Sequence, residues 1–184
     1  MHRPIVFTVG DQPLTDGVVA LRRWRKRDAV ALVECIDGDP DISRWLDQVP
    51  QPYTRDDALA YFDGLGKKAF AITDAGSGAV LGSVGVEWNE KGDVGEVGYW
   101  VRADARGRGV TTRALRLVSR WALGRKGVAR LQLRADIENV ASRRVAEKAG
   151  FHEEGVLRSA YWNPRLGRRV DWAMYSLLPG ELDA

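Results

Sequence analysis

The sequence predicts one α+β domain built in three layers. Three observations predict it. Helical and alternating stretches interleave along the 184 residues, strand–turn–strand signals sit toward both ends, and no repeat, linker or low-complexity segment divides the chain. Hydrophobic residues make up 45% and charged residues 29%, ordinary proportions for a globular protein with a real core.

The elements follow in order. "VVALRRW" reads as a first strand. "RDAVALVECI" has helical spacing, and "DGDPD", a cluster of turn formers, is expected to end that helix. "YTRDDALAYFDGL" predicts a second helix capped by Thr54, with Asp57 in its first turn where a carboxylate meets the positive end of the helix dipole. "AFAIT" and "AVLGSVGVEW" are strands joined by the hairpin signal "DAGSG", and "NEKGD" turns the chain into "VGEVGYWV", the fourth predicted strand. Val110, Ala114, Leu117, Val118 and Trp121 then recur at helical spacing. "ARLQLRAD" alternates as a fifth strand. "NVASRRVAEKAG" is a helix closed by Gly150, and "FHEEGVLRSAYW" and "RVDWAMYSLL" finish as strands.

Composition excludes several classes. The opening "MHRPIVFTVGDQPLTDG" lacks the apolar core that a secretory signal needs after a basic start. No stretch approaches the roughly 18 apolar residues of a spanning helix, so a cytoplasmic protein with no membrane partner is expected. The single cysteine, Cys35, excludes an internal disulfide framework and a cysteine zinc cluster. It reads as a small buried residue, and no spacing suggests a metal site. His2 lies near the terminus, and His152 has no serine and acid arrangement around it, which argues against a Ser-His-acid hydrolase. Seven tryptophans suggest a large aromatic core or a pocket lined with rings.

Net charge is only +3, but residues 102–130 hold eight arginines and Lys126 against one acid, Asp104. A local positive field of that kind attracts an anion. "ARGRGVTTRAL" lies inside it, between a strand and a helix, which is the layout for binding phosphate. The N–H groups of a first helical turn point outward, the dipole favours negative charge there, and glycine lets a phosphate reach the backbone. Arg106 and Arg108 add charge, and Thr111 and Thr112 add hydroxyls. The P-loop and dinucleotide fingerprints are both absent. A nucleic-acid-binding module is the rival reading of the same arginines, and it is the less favoured one.

With that turn in place the chain resembles the GNAT N-acetyltransferases, which move an acetyl group from acetyl-CoA to an amine. The family turn [RQ]-x-x-G-x-[GA] is matched by Arg106 and Gly109, with Thr111 standing in the last position. "NVASRRVAEKAGF" resembles the family segment N-x-x-[AS]-x-x-x-x-x-K-x-G-F through Asn139, Ser142, Lys148, Gly150 and Phe151. "LRRWRKRDAVAL", "DPDISRW", "YTRDDALAYF", "GEVGYWV" and "RSAYW" resemble the RimJ/RimL branch, which acetylates ribosomal-protein N-termini. The likeness runs from about Leu21 to Leu178, within a chain read as one domain over 1–184.

The resemblance implies a GNAT-like mixed, mostly antiparallel sheet that splays between the fourth and fifth predicted strands. The pantetheine arm of CoA would lie in that opening, against backbone near Tyr99, Trp100 and Val101. The pyrophosphate would sit on Arg106, Gly107, Arg108, Gly109, Val110, Thr111 and Thr112, with Asn139 and Ser142 facing it from the far side. The acceptor would be a protein N-terminal α-amine or a small amine, and the protein a monomer or homodimer.

Acetyl transfer to an amine has three needs. The ammonium must lose its proton, the oxyanion needs a donor such as a strand N–H, and the departing thiolate must be stabilised. Glu96, ten residues before Arg106, is the first candidate for the base, with Glu87 and Glu154 behind it. Some RimL-like relatives carry a glutamate where this chain has Tyr161, and many family members carry a tyrosine where it has Ala146. Ser142 is then the candidate for stabilising the thiolate, unless its hydroxyl bonds backward to a helix carbonyl. Asp37, Asp39, Asp41 and Asp47 cluster in a stretch that resembles the family's acceptor-side loop. A GNAT-like domain that binds CoA without catalysis, as a sensor, is the alternative.

Overall fold

The structure is a computed structural model that describes residues 12–64 and 68–182; His2 and most of the opening segment lie outside them. The chain runs β1 (Leu14–Thr15), β2 (Val19–Arg23), α1 (Ala29–Ile36), α2 (Pro40–Trp45), α3 (Arg55–Asp63), β3 (Ala69–Asp74), β4 (Val80–Trp88), β5 (Val94–Val101), α4 (Val110–Leu123), β6 (Arg130–Asp136), α5 (Val140–Lys148), β7 (His152–Asn163) and β8 (Arg168–Leu177). The short β1 shifts the count, so the fourth and fifth predicted strands are β5 and β6.

One expected element is corrected. "DGDPD" was read as turns ending a helix, yet Pro40–Trp45 forms α2. The Asp39 side chain accepts from the N–H groups of Asp41 and Ile42 at 3.0 and 3.3 Å, and Pro40 occupies the first turn, where its missing N–H costs nothing. Elsewhere the caps match expectation. Thr54 and Asp57 satisfy each other's N–H at the start of α3. At the end of α5, Phe151 N–H bonds Ala146 O and Gly150 N–H bonds Glu147 O, the paired closure that a left-handed glycine permits.

The strands form a single sheet in the order β1-β2-β3-β4-β5-β6-β8-β7. All neighbours are antiparallel except β5 and β6, which α4 connects as a crossover. That parallel pairing spans only Val94↔Arg130, Gly95↔Leu131 and Glu96↔Gln132. β5 stays paired with β4 as far as Gly82↔Val101, and β6 stays paired with β8 as far as Asp136↔Trp172. The two strands therefore part after Glu96 and leave a cleft beside Val97–Val101.

Two apolar clusters sandwich the sheet. Val110, Ala114, Leu115, Val118 and Ala122 of α4 pack with Val84, Val97, Leu131 and Leu133 of the strands. On the other cluster's side Ala29, Leu32, Ile36, Ile42, Tyr53 and Ala58 gather α1, α2 and α3 over Val80. Burying a leucine such as Leu115 contributes about 2 kcal/mol. Cys35 is buried there, and burial pushes its thiol up to about 11, so it is not a nucleophile near neutral pH.

Candidate active site

Beyond β5 the chain makes a short 3-10 turn over Ala103–Ala105 and then enters Arg106–Gly109. Gly107 and Gly109 have φ of +72° and +75°, and a Cβ at either would meet nothing within 4 Å. Glycine is therefore required by conformation, while the space in front of it is clear. Gly109 is the N-cap of α4 with no side-chain cap, and the first turn carries no acid. Its N–H groups face outward at the positive end of a 14-residue helix, a ready anion site. The geometry fits a pyrophosphate.

Several residues expected on this turn contribute in different ways. Gly107 and Thr111 line a cavity of about 220 Å³ together with Arg106, Tyr99, Asn139 and Ser142. Val110 puts its side chain into the core, so its N–H is what it can offer. Arg108 is exposed and its guanidinium bonds Asp104 O at 3.4 Å. Arg106 reaches sideways, to Asp39, to Asp41 at 2.9 Å and to Val101 O at 3.3 Å, which straps the turn to the start of α2. Asn139 caps α5 by accepting from Ser142 N–H at 3.0 Å.

Ser142 does not bond backward to its helix. Its Oγ lies 3.1 Å from the hydroxyl of Tyr99, which is also 3.1 Å from Ser142 O. Burial pushes the Tyr99 phenol up to about 12, so it remains a neutral donor. Ala146, where the resemblance leads one to look for a tyrosine, is fully buried.

A larger cavity of about 650 Å³ adjoins the first, and Trp45, Leu46, Tyr99 and Trp100 line both. Gly82 lets β4 approach β5 closely here, since a Cβ would stand 2.2 Å from Trp100 O. Tyr53 and Tyr61 add aromatic wall, and four carboxylates face the space: Asp47, Asp57, Glu87 and Glu96. Glu96 is held by Gln132 Nε2 at 3.2 Å and by Arg134, whose Nε lies at 2.7 Å. Glu87 pairs with Lys68 at 2.7 Å. Glu154 lies outside both cavities' linings; hydrogen bonds from Arg130 and Ser176 hold its carboxyl down at about 2. Tyr161 donates to Asp47 Oδ2 at 2.7 Å.

Sequence reasoning named Tyr99 and Trp100 of the shared wall but not Trp45 and Leu46. Trp45 and Leu46 end α2, the helix it read as turns, and the Asp39-Pro40 start signal would have revealed it. Carboxylates neutralise part of the basic stretch. Arg102 pairs with Asp104, Arg106 with Asp39 and Asp41, Arg113 with Asp16, and Arg130 with Glu154. Among the described residues there is no cluster of three His, Cys, Asp or Glu that would hold a metal, and no helix is long and apolar enough to cross a membrane.

Comparison with known proteins agrees with this fold. The profile of the acetyltransferase (GNAT) domain family matches residues 19–152. A curated relative from Bacillus subtilis (strain 168), named "Putative ribosomal N-acetyltransferase YdaF", is 28% identical over 175 residues, covering 89% of this chain and 92% of its own. Among solved structures, a GNAT-family acetyltransferase from Bacillus anthracis superposes with a TM-score of 0.83 at 19% identity, over 92% of this chain and all of the other. The ribosomal-protein-S5-alanine acetyltransferase from Vibrio fischeri gives 0.76 at 18%, over 94% and 99%. A RimL ribosomal L7/L12 α-N-protein acetyltransferase, solved with coenzyme A, gives 0.76 at 18%, over 91% and 98%. The chain belongs to the GNAT acetyltransferase family, the N-acetyltransferases whose cosubstrate is acetyl-CoA.

Proposed function

We infer that this enzyme acetylates a protein N-terminal α-amine by direct attack in a ternary complex. The observation that carries the reading is the meeting of two cavities at Trp45, Leu46, Tyr99 and Trp100. One lies on the glycine turn and suits a pyrophosphate and its pantetheine arm. The other is aromatic and carries four carboxylates against Lys68, which suits an ammonium and the apolar groups flanking it. The ribosomal N-acetylation named for the relatives supports a protein terminus as acceptor.

In this reading backbone groups at Tyr99, Trp100 and Val101, freed where β5 leaves β6, hold the pantetheine arm. Residues 106–112 take the pyrophosphate, with Gly107, Gly109 and the N–H groups of Val110, Thr111 and Thr112 nearest to it, Arg108 supplying positive field, Arg106 bracing the turn through Asp39 and Asp41, and Asn139 fixing the facing helix. Ser142, with the Tyr99 hydroxyl behind it, hydrogen-bonds the departing thiolate. Glu96 adds negative charge to the amine cavity. A small amine is the second reading, favoured by a volume of about 650 Å³, within the range of small-molecule pockets.

Titration of acetyl-CoA at physiological salt, followed by thiol release with short peptides and small amines, tests the proposal. Micromolar binding and peptide turnover are expected. Turnover of small amines alone assigns the second reading, and binding without any turnover points to a sensor.

A further inference from the structure

The four carboxylates of the amine cavity are not equivalent. Asp57 is occupied by the cap of α3, taking both the N–H and the hydroxyl of Thr54. Glu87 is matched by Lys68. Glu96 receives three contacts from Gln132 and Arg134. Asp47 has no cation on its carboxylate among the described residues; its hydrogen-bond partner is the neutral hydroxyl of Tyr161. Arg165, the cation beside it, spends its donors on the carbonyls of Asp47 and Val49. Arg44, two residues before Leu46, turns to Glu138 and to the ring of Trp45.

Position adds to charge. Asp47 follows Leu46, which lines both cavities, and itself lines the larger one. Its holder is rigid. The Tyr161 ring stacks on Trp172 with centroids 5.1 Å apart and planes 17° apart, and the Arg134 guanidinium lies over the Trp172 ring, 4.5 Å from its centroid. The phenol is thus fixed by stacking, and one of Asp47's lone pairs is fixed by the phenol. The remaining lone pairs of the carboxylate are left for an ammonium.

We propose that Asp47, positioned by Tyr161, receives the acceptor ammonium and takes its proton; the proposal rests on the ternary-complex reading above. The carboxylate accepts one N–H proton and becomes a carboxyl. The neutral nitrogen uses its lone pair to form the bond to the acetyl carbonyl carbon. The carbon–sulfur bond breaks and its electron pair leaves with sulfur, which regains a proton from water beside Ser142. The second nitrogen proton is lost to solvent as the amide forms, and the Asp47 carboxyl releases its own.

The experiment uses the full chain with acetyl-CoA and two probes, a short peptide with a free α-amine and tyramine. Asp47→Asn is expected to lower kcat/KM about 100-fold while leaving acetyl-CoA affinity unchanged. It should weaken binding of the free-amine peptide about tenfold and leave binding of the same peptide, N-acetylated, unaltered. Asp47→Glu should restore part of the rate, and Tyr161→Phe should lower kcat about fivefold without moving the KM for acetyl-CoA. If the wild type turns over a probe and Asp47→Asn stays within threefold, with unchanged peptide binding, Asp47 is overturned and the acceptor reading stands. If the wild type turns over neither probe, the acceptor reading fails and this proposal fails with it.

Discussion

Arg134 closes on the carboxylate of Glu96 from the neighbouring strand, its Nε 2.7 Å from Oε1, two residues beyond the last paired position of β5 and β6. The sequence made Glu96 the first candidate for the base, and the ion pair gives it a second duty, fixing the mouth of the cleft. Glu96→Gln is expected to reduce kcat/KM less than tenfold. The half-exposed pair contributes about 1 kcal/mol at most, so melting should fall by only a few degrees. Kinetics of Glu96→Gln beside Asp47→Asn would show which carboxylate the reaction needs.

The glycine turn yields a sharper test. At Gly109, with φ of +75°, any other residue adopts a left-handed conformation at a cost of about 1–2 kcal/mol. Its side chain would project into the clear space that a diphosphate would use. Gly109→Trp should weaken acetyl-CoA at least 100-fold by titration, and circular dichroism should still show the native fold.

Tyr99 and Ser142 form a hydroxyl pair whose contribution a double-mutant cycle can isolate. Tyr99→Phe and Ser142→Ala should each slow turnover, and the double variant should be no slower than the worse single one. With the phenol pushed up to about 12 by burial, the Tyr99→Phe effect should be constant between pH 6 and 10.

Glu154 adds a small acid-side dependence to stability. Its carboxyl is depressed from 4.5 to about 2 by the hydrogen bonds of Arg130 and Ser176. A depressed carboxyl stabilises the fold above its unfolded value, and that stabilisation is lost as pH falls from about 4.5 toward 2. Because the side chain is partly exposed, the contribution is below about 1 kcal/mol. Glu154→Gln should lower the melting temperature at pH 6 and leave it nearly unchanged at pH 2.5.

Most of the fold was legible because its signals are local. Alternation marked the strands, and Thr54 and Gly150 marked helix ends. What escaped was set by contacts far apart in the chain. Nothing near Glu96 reveals Arg134, 38 residues on. Nothing near Asp47 reveals Tyr161, 114 residues on. The aspartates at 37–47 read as one cluster in an acceptor-side loop, and folding gave them separate tasks: a bond to the Tyr53 N–H, the cap of α2, a strap on Arg106, and the cavity wall.

The strap between Arg106 and the two aspartates at α2 has a thermodynamic consequence. One guanidinium serves the turn that would receive a diphosphate, and its anchors belong to the helix ending in Trp45, which walls the amine cavity. A bound anion competes with Asp39 and Asp41 for that charge, so filling one cavity alters the restraint on the other. Linkage then requires equality in both directions: whatever factor the first ligand imposes on the second, the second imposes on the first. The two substrates are expected to share one coupling factor, carried through a single arginine.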